Sequence, residues 1–129
     1  MKPTDKVVKL ACQLYDAGYP QEIQEGDWVK CDVYKGIHLV CSAYREWVVL
    51  NELGHVFEKD CIPIPDLSTC LRWLEEYLVQ LRVKVIAKEF LADELGWKCR
   101  WFKDRWWNIE ADTPEEACML AMLKILGGE

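Results

Sequence analysis

Residues 106–128 read Trp106-Trp107-Asn108-Ile109-Glu110-Ala111-Asp112-Thr113-Pro114-Glu115-Glu116-Ala117-Cys118-Met119-Leu120-Ala121-Met122-Leu123-Lys124-Ile125-Leu126-Gly127-Gly128. This stretch decides the fold, because it runs a strand straight into a capped helix. Alternation puts Trp107, Ile109 and Ala111 on one side of the strand, with Trp106, Asn108 and Glu110 on the other. Thr113-Pro114-Glu115-Glu116 is a capping box with proline at the first helical position. From Ala117 to Leu126 only Lys124 is polar. A helix of that composition must be covered on most of its circumference. Gly127-Gly128 then stop it.

Upstream of this stretch, Trp97–Phe102 forms the partner strand, with a tight turn near Lys103-Asp104. Trp97, Cys99 and Trp101 share one face, and Lys98 and Arg100 take the other. Residues 83–95 are ambiguous by periodicity: Val83, Ile86, Ala87, Phe90 and Leu91 fit a helix, whereas Val83, Val85 and Ala87 also alternate as a strand. The β-branched residues favour the strand. Before them, Asp66 caps a central helix expected to reach about Leu81, with Leu67, Cys70, Leu71, Leu74, Leu78 and Leu81 as its apolar stripe. Cys61-Ile62-Pro63-Ile64-Pro65 is extended, because proline excludes helical backbone at its predecessor.

The first half is helical, then β-rich. A helix over Thr4–Ala17 has Thr4 as cap, Val7, Ala11 and Leu14 on one stripe, and Gly18 and Pro20 as stop signals. Trp28–Tyr34 alternates, with Val29, Cys31 and Val33 on one face. Lys35-Gly36 turns the chain into Ile37–Ala43. A hairpin follows, Trp47–Leu50 and His55–Glu58 around a turn at Asn51–Gly54. The order predicts a single compact α+β domain over 1–129, an antiparallel sheet with about three helices packed on it.

Composition sets the outer bounds. The 129 residues are 51% apolar and 29% charged, which is globular rather than disordered. No apolar run reaches the ~20 residues that span a bilayer, and Met1-Lys2-Pro3-Thr4-Asp5 lacks a secretory pattern. A cytoplasmic protein is expected. The seven cysteines, at 12, 31, 41, 61, 70, 99 and 118, include no Cys-x-x-Cys pair. They read as reduced, mostly buried apolar side chains. The net charge is −6, unevenly spread. Seven basic and four acidic residues over 82–105 give +3 there and −9 elsewhere. The acidic remainder disfavours nucleic acid as a partner.

No catalytic, cofactor or metal site is expected. His38 and His55 with Cys31, Cys41 and Cys61 lack the close ligand pairs of structural zinc. Cys99 has basic neighbours, Lys98 and Arg100, but alternation aims them away from it. Glu22, Glu25 and Asp27, or Glu58 and Asp60, are carboxylates that could pair as acid and base, and their plainer role is a solvated loop. The tryptophans are the least ordinary feature. Seven occur, four of them within 97–107 among Lys98, Arg100, Lys103 and Arg105. Trp97, Arg100, Trp101, Arg105 and Trp106 are therefore the candidate interaction surface for a protein partner or a second copy. Core packing is the competing role for Trp97, Trp101 and Trp107.

Three stretches carry a family resemblance: Leu14-Tyr15-Asp16-Ala17-Gly18-Tyr19-Pro20-Gln21, Ile62-Pro63-Ile64-Pro65-Asp66-Leu67-Ser68-Thr69-Cys70-Leu71-Arg72-Trp73-Leu74, and Trp107 to Leu126. In order and spacing the chain resembles a family of small uncharacterised phage and prophage proteins. The resemblance implies a sandwich-like α+β domain with a strand after the central helix. It implies no catalytic residue. The expectation is a non-enzymatic accessory protein acting through protein contacts. The alternatives are a small enzyme or ligand-binding domain with a pocket near Trp28 or Trp106, and an acidic inhibitor that mimics nucleic acid.

Overall fold

The first helix, α1 (Asp5–Asp16), starts where the cap chemistry places it. The Thr4 hydroxyl accepts the Val7 N–H at 3.3 Å, and Asp5 stands in the first turn. Val7, Ala11 and Leu14 are its buried stripe. It ends at Gly18, whose φ of 95° suits a residue without a Cβ. A computed structural model describes residues 2–19, 22–44, 46–50, 54–86 and 94–127, apart from the side chains of 83–86 and 94–95. Its described elements are three α-helices and two antiparallel sheets, an α+β architecture.

These elements fall into two compact units, 1–66 and 67–129. In the first unit the strands are β1 (Trp28–Cys31), β2 (Ile37–Tyr44), β3 (Trp47–Leu50), β4 (Gly54–Phe57) and β5 (Cys61–Ile64). They form one sheet in the order β4-β3-β2-β1-β5, so β4 and β5 are its edges. Ile23, Val29, Cys31, Val40, Val48, Leu50, Val56 and Cys61 make the core, with Tyr34 and Ala43 against it. Helix α1 packs on β5. The register slips between Val40 and Ser42, which leaves Cys41 exposed.

The strand expected over Trp28–Tyr34 ends at Cys31. Asp32 N–H bonds the Asp60 carbonyl, and the chain then bends towards Gly36 at φ 84°. Val33, expected in the core with Val29 and Cys31, is therefore exposed (61%). The expected hairpin is present as β3 and β4, although residues 51–53 of its turn lie outside the described ones.

In the second unit, α2 (Leu67–Leu74) is shorter than its apolar stripe suggested. A 3-10 turn follows at Glu75–Tyr77, and Leu78 takes left-handed backbone at φ 54°. Leu78 is exposed and Leu81 belongs to a strand instead. The strand wins because β6 (Gln80–Ile86) pairs along its whole length with β7 (Glu94–Lys103). A β ladder satisfies backbone groups that a longer helix would otherwise hold. The described ends of 83–95 are thus strand, and 87–93 lie outside the described residues. The sheet is completed by β8 (Arg105–Ala111), in the order β6-β7-β8.

Helix α3 (Pro114–Gly127) begins with the Thr113 hydroxyl accepting the Glu116 N–H at 3.2 Å. It packs against β7 and β8 on one side and α2 on another, which explains its nearly uniform apolar surface. Ala117, Cys118, Met119, Ala121, Met122 and Ile125 are all buried. No helix among the described residues is long and apolar enough to cross a membrane.

Candidate interaction surface

The β7–β8 hairpin positions every residue of the candidate surface, and its register assigns each to a face. Asp104 reverses the chain between Lys103 and Arg105 with φ 65°. Aspartate is one of the few residues with a Cβ that accepts this conformation readily. From that turn the pairs run Phe102 with Trp106, Trp101 with Trp107, Arg100 with Asn108, Cys99 with Ile109, Lys98 with Glu110 and Trp97 with Ala111.

One face therefore holds Trp97, Cys99, Trp101, Trp107, Ile109 and Ala111. Its centre is fully covered: Cys99 is 0% exposed and Trp101 1%. The Trp101 and Trp107 rings stack with centroids 6.4 Å apart and planes 11° apart. Trp107 Nε1–H donates to the Lys103 carbonyl at 3.0 Å. The Arg105 guanidinium lies 4.0 Å over the Trp107 ring, and Lys124 Nζ lies 5.7 Å from it. Lys103 Nζ donates to the Ile125 carbonyl at 3.3 Å, near the C-terminal end of α3 where a cation is favoured. Cys99 and Cys118 share a hydrogen bond that lowers the Cys99 pKa against the opposing effect of burial. The same bond, with burial, raises that of Cys118. These thiols are packed core groups.

The other face differs in kind. Phe102 (40% exposed) and Trp106 (39%) meet edge to face, 5.4 Å between centroids. The Arg100 guanidinium carbon sits 4.4 Å over the Trp106 ring. Arg100 Nε is buried with no hydrogen-bond acceptor among the described residues, while its guanidinium lies against the ring face. Lys98 opposes Glu110 one pair further on, and Arg82 on β6 opposes Lys98.

Of the five candidates, only Arg100 and Trp106 share this outward face. Trp101 is core, a correction that follows from its place at the centre of the face against α3. Trp97 is half-buried on that same inner side, and Arg105 is exposed but lies over Trp107. Phe102 completes the outward pair opposite Trp106, and its sequence signal was its parity with Lys98 and Arg100. A second exposed aromatic group lies in the first unit, where Tyr44, Trp47 and Phe57 line up across β2, β3 and β4. Trp47 and Phe57 stack at 4.0 Å, and Lys59 Nζ stands 5.3 Å from the Phe57 ring.

The candidate carboxylates fasten a loop. Asp27 accepts the Gln24 N–H at 2.8 Å, and Glu58 accepts the Ile23 N–H at 3.4 Å. Glu22 and Glu25 are exposed on that loop. His38 Nε2 bonds the Lys35 carbonyl at 2.9 Å, and His55 meets Trp47 edge to face. Among the described residues, no three His, Cys, Asp or Glu side chains gather where a metal ion could be held. One surface cavity of about 460 Å³ is lined by Glu46, Phe57, Glu58 and Lys59, and another of about 240 Å³ lies beside Asp5, Val8, Lys30 and Ile37. Neither Trp28 nor Trp106 lines either one. Comparisons with protein-family models, curated proteins and solved structures return no match.

Proposed function

We propose that the chain is a cytoplasmic accessory protein of phage or prophage type, and that it acts through protein contacts at the outward face of β7–β8. The observation that carries this reading is the exposed Phe102–Trp106 pair with Arg100 over the tryptophan ring. The few residues that dominate binding energy at protein interfaces are enriched in tryptophan and arginine, and here a pair of them is already in contact. A pre-ordered surface loses less side-chain entropy on association. The resemblance of the three sequence stretches supports the accessory role.

The test is sedimentation over a range of concentrations, together with purification from a host lysate. The expected outcome is a dimer or a discrete complex that Trp106→Ala dissolves while the chain stays folded. A strict monomer that captures nothing would end the proposal, as would a complex indifferent to Trp106→Ala.

A further inference from the structure

Cys31 and Cys61 occupy directly opposed positions on β1 and β5. Their sulfurs are 3.3 Å apart, and the side chains are 5% and 2% exposed. We propose that this pair is a redox site that closes to a cross-strand disulfide when it meets a low-molecular-weight disulfide. The site is independent of the contact surface on β7–β8.

The geometry favours this pair. Opposed residues of an antiparallel ladder have Cα atoms about 4.5–5.5 Å apart, inside the range disulfides span. Closing from 3.3 Å to the ~2.05 Å bond length asks for a sulfur shift of about 1.3 Å. That shift is available because β5 is an edge strand, bonded to a neighbouring strand only through β1. The same edge gives the oxidant its route, since a four-residue edge strand opens more readily than a central one. Cys41, which is more exposed, has no opposed thiol in the described ladders of β2.

The chemistry balances without a metal. The Cys31 thiolate attacks one sulfur of the external disulfide, forming a mixed disulfide and expelling one thiolate. The Cys61 thiolate then attacks Cys31 Sγ and expels the second. Two protein thiols lose two hydrogens and become one disulfide, while the external disulfide is reduced to two thiols. Burial raises the pKa of Cys31 and pushes that of Cys61 up to about 12, so exchange is slow at neutral pH and quickens as pH rises. A bond closing this 30-residue separation removes freedom from the unfolded chain and ties β5, on which α1 packs, to β1.

The experiment is incubation of the intact folded chain in graded ratios of oxidised to reduced glutathione at mildly alkaline pH. Free thiols are then blocked, and peptides are mapped without reduction. The expected result is a Cys31–Cys61 linked peptide, lighter by two hydrogens than its separate thiol parts, and a Tm higher by about 10 °C that dithiothreitol reverses. Cys61→Ala should abolish that Tm difference. If this variant does not fold, the wild-type peptide map decides alone. Free thiols at both positions under fully oxidising ratios would overturn the proposal. So would glutathione held on either residue without closure, or pairing of either with another cysteine.

Discussion

The inner and outer faces of the β7–β8 hairpin carry the same residue types and use them differently. Trp101 and Trp106 are five positions apart, yet one is 1% exposed and the other 39%. Each face also has an arginine over a tryptophan, Arg105 over Trp107 on the inner side and Arg100 over Trp106 on the outer. The difference comes from what lies opposite. The inner face meets α3, and Cys99 and Trp101 at its centre are buried. On the outer face Phe102 and Trp106 keep about two-fifths of their surface exposed. Aromatic content alone therefore says little about role, and the parity of a position in its strand says much.

That contrast can be broken most forcefully at Trp101. Trp101→Ala should lower stability by about 3–5 kcal/mol, the usual cost of emptying a large aromatic site in a core. Urea unfolding followed by circular dichroism measures it, and a loss below about 1 kcal/mol would mean that the inner face is not a core. Next comes the helix that covers it. Thr113→Ala removes the hydroxyl that accepts the Glu116 N–H and should cost about 1 kcal/mol in the same titration. An unchanged midpoint would show that α3 is held by packing alone. On the outer face, Trp106→Ala should cost less than about 1 kcal/mol, as surface substitutions do, while removing association. A destabilisation as large as that of Trp101→Ala would erase the distinction between the faces. The smallest effect is expected at Arg105, where Arg105→Ala forfeits one exposed cation–π contact worth about 0.5 kcal/mol. A marked loss of association there would move the contact surface round the turn.

Much of this was legible in the sequence because the deciding signals are local. The Thr4 and Thr113 caps, Gly18 after α1 and the alternation of 105–111 all depend on near neighbours. The misjudged elements needed distant information. Leu78 and Leu81 continue the apolar spacing of α2, but Leu78 takes left-handed backbone after the 3-10 turn, and Leu81 pairs with the distant Cys99 on β7. Val33 alternates correctly with Val29 and Cys31, yet the ladder ends before it because Asp32 turns to Asp60. The surface was half legible for the same reason. Strand parity separated Trp106 from Trp107 and sets Phe102 beside Arg100, while Tyr44 and Phe57 needed the cross-strand register. The facing thiols of Cys31 and Cys61, thirty residues apart, left no local trace.

Helix α3 also constrains the order in which the chain can be made safely. It follows the strands it covers, so the inner face of β7–β8 emerges from the ribosome ahead of its cover. During that interval Trp97 and Trp101 present an apolar sheet face that invites chaperones or other nascent chains. A product arrested before Thr113 would stay in that condition and behave as an aggregation seed, however intact its strands.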